Sequence, residues 1–381
     1  MTRRIICVLV GLTACATPEP PSGPRPQTAA APTQPPRARA RDLGIHIGKL
    51  PSGTNDAITD VAGVAVGHAT VREPGRLNTG VTMVLPHRGN PFRTKLPAAL
   101  VVQNGYGKLV GATQLQELGE LESAIALTAT LNVHRVADAV LDWLLALPGN
   151  ETVRSANVVV GETNDGRLSD IRARAVHGEH VAAAIASAST GTVQVGSIGA
   201  GAGTTCFGWK GGIGTSSRRS GDYTVGVLVQ TNFGGQLNVR GLPQDSPANR
   251  MASHGIASAD HDGSCMIIIA TDAPLDQAGL RRLATRSFAG MARTGASFSH
   301  GSGDYAIAFS TARSAQTKAP RPIQGGRLSP LFVAVADATE QAILDSLCAA
   351  QTTTGMGRTV RAMPLHALQA AAGQGAQGTS N

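Results

Sequence analysis

Three short stretches of this chain carry residue types that together suit acyl transfer. The first is Asp262-Gly263-Ser264, which runs directly into the apolar, β-branched stretch Cys265–Ala270. That run reads as a buried strand with a serine at its first position. Cleavage of the Gly263–Ser264 bond would make Ser264 a new N-terminus. It would then carry both a hydroxyl nucleophile and its own base, an α-amine that titrates near pH ~7.7–8.0. The second stretch, His300-Gly301-Ser302-Gly303-Asp304, leads into another apolar run, Tyr305–Phe309. Its glycines permit a tight turn that presents Ser302 and Asp304 at a sheet edge, where they can hydrogen-bond the serine and its amine. The third, Gln230-Thr231-Asn232-Phe233-Gly234-Gly235, ends a strand with an amide side chain. Asn232 has the donor needed to hold a tetrahedral oxyanion.

The elements that must position these groups follow from the hydrophobic pattern. Strands are expected at 61–66, 80–85, 98–102, 157–160, 224–229, 266–270, 305–309 and 331–335. Helices are expected at 111–127, 136–147, 168–187, 274–292 and 338–350. Several strands are apolar at every position, so both of their faces should be covered. The mixture predicts a layered α/β domain without internal repeats.

Other chemistries lack their signatures. There is no Gly-x-Ser-x-Gly elbow, no His-Glu-x-x-His and no Cys-x-x-Cys, so neither an α/β-hydrolase site nor a metal site is expected. His261 and His300 lie too close in sequence to Ser264 and Ser302 to be expected as triad bases. The run Gly199-Ala200-Gly201-Ala202-Gly203 looks like a nucleotide loop. It lacks the Lys-Ser/Thr ending, and the third dinucleotide glycine is replaced by Thr204 or Cys206, depending on the start. A glycine turn packed against other backbone is expected instead. No cofactor is called for.

The first residues read as an export signal: Arg3 and Arg4, then the apolar run 5–12, closing on Leu12-Thr13-Ala14-Cys15. That order resembles a lipobox, with cleavage before Cys15 and lipid on its thiol. Residue 16 is Ala and not Asp, which directs the expectation to the outer membrane, facing the periplasm. Residues 15–41, holding eight prolines, read as an extended tether ahead of one domain over 42–381. The net charge of +8 is concentrated in residues 1–41, where six arginines face Glu19 alone. The remainder carries about +3 with few aromatics, which excludes nucleic acid as a partner. Cys206, Cys265 and Cys348 remain after the signal and lipid cysteines, enough for one disulfide but no framework.

The joint pattern resembles the self-processing L-aminopeptidase/D-esterase family, which includes the β-peptidyl aminopeptidases. It is carried by Asn55–Val61, Gly63–His68, Asn104-Gly105-Tyr106-Gly107-Lys108, Glu117-Leu118-Gly119, Gly161-Glu162-Thr163, Lys210–Arg218, Thr231–Gly234, Asp262-Gly263-Ser264, Ala270–Leu275 and Gly301–Asp304. The resemblance implies a four-layer α/β/β/α sandwich, similar to N-terminal-nucleophile hydrolases but with its own topology. It implies self-cleavage into an α chain ending at Gly263 and a β chain starting at Ser264. It also implies Ser264 as nucleophile, Asn232 at the oxyanion, Ser302 and Asp304 in support, and Glu162 on the substrate amino group. Substrates would be short peptides, amino-acid amides or esters, and the protein a homo-oligomer of αβ units. Asp304 stands where some relatives have Glu, and Asn164 where some have an aromatic hydroxyl, which alters the substrate pocket. Two competing readings are a self-processing acyltransferase, disfavoured by serine in place of threonine, and a non-enzymatic peptide-binding lipoprotein that never matures.

Overall fold

The computed structural model describes residues 37–247, 263–312, 321–366 and 368. In chain order the main elements are β1 (Ala65–Glu73), β2 (Leu77–Leu85), β3 (Leu96–Gly105), α1 (Ala112–Glu117), β4 (Glu120–Leu121), β5 (Ile125–Ala129), α2 (Val133–Leu145), β6 (Val159–Thr163), α3 (Gly178–Ala186), β7 (Ile213–Ser220), β8 (Tyr223–Asn232), β9 (Ser264–Thr271), α4 (Gln277–Arg293), β10 (Gly303–Ser310) and α5 (Ser329–Cys348).

Alternation along β9 shows how these stack. Met266, Ile268 and Ala270 face one apolar layer with Val84, Ile125, Leu127 and Val159 of the β1–β2–β5–β6 sheet. Cys265, Ile267 and Ile269 face the opposite layer, with Leu280 and Leu283 of α4 and Ala338, Ala342 and Ile343 of α5. A third layer packs Val81, Met83 and Ala126 against Val136, Val140 and Leu144 of α2 and Val181 of α3. Three apolar layers between four tiers of secondary structure make the α/β/β/α sandwich. The second sheet runs β4–β3–β10–β9–β8–β7, so β9 lies inside it, with β10 parallel on one side and β8 antiparallel on the other.

Several expected elements fall elsewhere. The run 331–335 is helical, not a strand: α5 begins at Ser329 with Pro330 in its first turn, where a missing N–H costs nothing. Buried on most sides, α5 shows no polar face to mark its period. The helix expected over 111–127 is only α1, and Ile125–Ala129 is a strand buried at all five positions. Over 168–187 only Gly178–Ala186 is an α-helix. No disulfide forms among the three described cysteines, which are all buried and free.

The ordered body also starts before residue 42. Arg39 Nε donates to Asp345 Oδ2 at 2.7 Å, and the Ala40 N–H donates to Asp345 Oδ1 at 2.9 Å. Residues 37–41 therefore belong to the body and not to a tether. Residues 1–36, including Cys15, lie outside the described residues, as do His261 and Asp262.

Candidate active site

Ser264 is the first residue of β9, and its two register partners are the last residue of β8, Asn232, and the first of β10, Gly303. A strand start in mid-sheet is flanked by the ends of both neighbours, so three distant segments converge on one hydroxyl. Ser264 is 7% exposed. Its Oγ accepts the Gly303 N–H at 3.2 Å. In the next register pair, Asp304 lies beside Cys265. Asp304 Oδ1 accepts from Ser302 Oγ at 2.9 Å, while Oδ2 has no hydrogen-bond partner among the described residues. Burial pushes the Asp304 carboxyl up to about 6, against the pull of the Ser302 hydroxyl and the Cys265 N–H.

Asn232 is oriented from behind. Its Oδ1 accepts the Thr205 N–H at 2.9 Å. Only a carbonyl oxygen can accept there, so the two Nδ2 hydrogens are turned to the other side of the amide.

Glu162 comes from β6, in the other sheet, and the Tyr106–Lys108 segment joins it to the turn at Ser302 beside Ser264. Its Oε1 accepts the Lys108 N–H at 2.9 Å, and its Oε2 accepts from the Thr130 hydroxyl. The Tyr106 N–H donates to the Ser302 carbonyl at 3.2 Å. Between these ties, a Cβ on Gly107 would lie 2.7 Å from Tyr305 Cε2 and 3.2 Å from both Gly303 Cα and Glu162 Oε1. Residue 107 must be glycine for the carboxylate to come this close to the Ser264 end of the sheet. Burial raises the Glu162 pKa, against the hydrogen bonds from Thr130 and Lys108. Its two hydrogen-bond donors are a hydroxyl and a backbone N–H, and the Lys108 ammonium adds a favourable charge nearby.

The structure thus brings together Ser264, Gly263, Asn232, Ser302, Asp304 and Glu162. Asn164, two residues on from Glu162, is exposed, and its Oδ1 accepts the Gly166 N–H at 2.9 Å in a local turn. His300 stands with its ring centroid 6.2 Å from that of Tyr106, an outer neighbour of the site.

A nucleophile candidate at a strand start, between an oriented amide and a hydroxyl–carboxylate pair, matches a known arrangement. The model of peptidase family S58 matches residues 56–360. This chain belongs to that family. The beta-peptidyl aminopeptidase BapA of Sphingosinicella microcystinivorans is 40% identical, the match covering 87% of this chain and 91% of that protein. Among solved structures, a Burkholderia sp. beta-aminopeptidase superposes with a TM-score of 0.79 at 36% identity, covering 88% of this chain and 99% of that one. The L-aminopeptidase D-Ala-esterase/amidase of Ochrobactrum anthropi, described as a prototype for the serine aminopeptidases and a variant of the Ntn hydrolase fold, gives 0.77 at 30% identity, covering 89% and 99%.

Within this S58 site, sequence reasoning assigned no role to Thr130, Lys108, Thr205 or Lys210. Thr205 and Lys108 act through backbone N–H groups, which leave no trace in residue type. Lys108 and Lys210 stand in segments that carried the family resemblance. Lys210 is the one whose burial has no precedent in composition, because lysine is almost never fully buried.

Proposed function

We propose that this member of family S58 cuts its own Gly263–Ser264 bond and then removes N-terminal residues from short peptides, amides or esters. The observation that carries this reading is the register of Ser264 between Asn232 and Gly303, with Asp304 one pair further in. In the precursor, the Ser264 hydroxyl adds to the Gly263 carbonyl and the peptide bond gives way to an ester. Water then hydrolyses the ester, leaving a Gly263 carboxylate and a free Ser264 amine.

In the mature enzyme, the neutral amine takes the proton from Oγ as the oxygen attacks the substrate carbonyl. Asn232 Nδ2 donates to the resulting oxyanion, an interaction worth about 3–4 kcal/mol in the transition state. The proton passes to the leaving amine, and water releases the acyl group. Glu162 pairs with the substrate ammonium, which restricts cutting to the first residue.

Several features support an enzyme over a non-catalytic binder: the oriented amide, the buried Ser302–Asp304 pair and a buried carboxylate with neutral donors. The beta-aminopeptidases among the relatives make a β-aminoacyl amide the first substrate to compare with an L-α-aminoacyl amide. Leu12-Thr13-Ala14-Cys15 supports a lipid-anchored, periplasm-facing protein, checked by radiolabelled fatty-acid incorporation in wild type and Cys15→Ala. For the chemistry, intact mass and N-terminal sequencing decide. A fragment beginning Ser-Cys-Met-Ile-Ile supports the reading, and an uncut chain without amidase activity overturns it.

A further inference from the structure

The glycine-rich turn Gly199–Gly203, set aside above as a nucleotide loop, is pinned on every side. The Gly199 N–H donates to Thr70 Oγ1 at 2.8 Å and the Ala200 N–H to Thr82 Oγ1 at 3.2 Å. The Ala200 carbonyl accepts from Gln230 Nε2 at 3.0 Å. The Gly201 carbonyl accepts from Lys210 Nζ at 2.9 Å, and the same Nζ donates to the Gly211 carbonyl at 2.9 Å. Lys210 is fully buried. Its register partner across a short hairpin ladder is Thr205, the residue whose N–H holds Asn232 Oδ1.

An ammonium in this position is expensive to bury, and desolvation drives the Lys210 pKa well below the usual lysine value. A methionine would fill the space without that cost but would leave two buried carbonyls without donors and the buried Asp165 carboxyl without its nearby positive charge. What the lysine secures is the placement of the hairpin. If the hairpin moves, the Asn232 amide loses the Thr205 contact, which among the described residues is what distinguishes its two ends. A turned amide would then present Oδ1, whose lone pairs repel an oxyanion.

We propose that Lys210 is a positioning residue for the reaction: by tying the Gly201 and Gly211 carbonyls it fixes the Thr205 N–H against Asn232 Oδ1 and so aims Nδ2 at the acyl oxygen. This rests on Asn232 being the oxyanion donor, as proposed above. The test is a double-mutant cycle on an aminoacyl amide, with rates normalised to processed Ser264 N-termini. Lys210→Met is expected to lower kcat about tenfold or more with KM within about twofold. Added to Asn232→Ala it should lower kcat by no more than about threefold further, because the group it aims is gone. A purely structural role would multiply the two losses.

Should Lys210→Met not fold, Gly201→Ala takes its place. Its Cβ would lie 2.5 Å from the Ile213 N and 2.7 Å from Gly212 Cα, and so would push the turn off that backbone while leaving the Lys210 and Asn232 side chains unaltered. The same kcat-selective, non-additive loss is expected. Unchanged kcat, or losses that multiply, overturns the proposal. If Asn232→Ala is impaired and the brace variants are not, this inference alone falls. If Asn232→Ala turns over like wild type, the oxyanion assignment falls with it.

Discussion

The Gly303 N–H and Ser264 Oγ are 3.2 Å apart across a parallel register pair, so the turn carrying Ser302 and Asp304 is tied directly to the hydroxyl proposed as nucleophile. In the uncut chain Ser264 has no free amine; of the two raised carboxyls in the site, Asp304 is the one beside the Ser264 end of the sheet and Glu162 reaches it from the other sheet. The Asp304 carboxyl sits at about 6 because of burial, so it becomes charged only as pH rises through that value. The rate of self-cleavage is expected to climb between pH 5 and 7. The climb should flatten in Asp304→Asn. Once cleavage frees the amine, an ammonium near Asp304 would lower the carboxyl pKa and raise its own, so amidase activity should rise at higher pH than cleavage does. Following both rates on gels and with a chromogenic amide checks this; a cleavage rate that is flat from pH 5 to 7 would sink it.

Glu162 is placed to read a positive charge. Its oxygens accept from the Lys108 N–H and the Thr130 hydroxyl, and the positive charge beside it is the Lys108 ammonium, which donates to the Tyr106 carbonyl among the described residues. Glu162→Gln keeps the shape and removes the charge. KM for an aminoacyl amide is expected to rise about 10–100-fold, matching a lost charge-assisted hydrogen bond of about 1.5–3 kcal/mol. Self-cleavage, which has no substrate ammonium to bind, should persist. Equal KM values in variant and wild type would remove Glu162 from the binding site.

How far the sequence reached differs by element, for physical reasons. The ends of β8, β9 and β10 were legible because each couples an apolar run to a polar or glycine turn. The pairing that brings Asn232, Ser264 and Gly303 side by side was not, since register across distant strands is set by the whole sheet. Strand β7 is absent from the expected strands because Thr215, Ser216, Ser217 and Arg218 form no apolar run. Their burial is matched by partners from elsewhere in the chain: Asp56 accepts from Ser216 at 2.7 Å, Asp60 from Ser217 at 2.7 Å, and the Val227 carbonyl from Thr215 at 2.7 Å. Helix α5 was split in two because burial on most sides removes the amphipathic period. Asn164 was placed at the pocket by the resemblance, two residues after Glu162; it lies just beyond the end of β6, at Thr163, with its Oδ1 accepting the Gly166 N–H.

The residue before the cut is under a steric limit that can be tested. A Cβ on Gly263 would lie 1.8 Å from the Asn232 carbonyl oxygen and 2.6 Å from Phe233 Cα. Backbone atoms in register cannot yield that space cheaply. Gly263→Ala should displace the scissile carbonyl from the Asn232 end of β8, so uncut precursor accumulates while the body stays folded. Time courses of cleavage after refolding report it. Wild-type cleavage by this variant would mean that the scissile bond moves away from Asn232 before it is cut.

His68 gives the fold a defined acid weakness. Its Nδ1 is 2.9 Å from Thr82 Oγ1, while its Nε2 is buried without a hydrogen-bond partner among the described residues. Burial lowers its pKa from the ordinary 6.5 to about 4. The unfolded chain therefore binds this proton first as pH falls. Stability from the neutral ring is complete above pH 6.5 and is lost progressively down to about pH 4, where the loss reaches about 3 kcal/mol. Buried Asp304 and Asp345, both raised to about 6, act in the opposite sense over a similar range, so the wild-type curve alone does not isolate His68. The difference between His68→Gln and wild type does. Glutamine does not titrate, so the variant should lose less stability between pH 6.5 and 4, whatever its offset at neutral pH. Denaturant melts at half-unit pH steps measure that difference, and parallel curves would show that His68 does not govern acid unfolding.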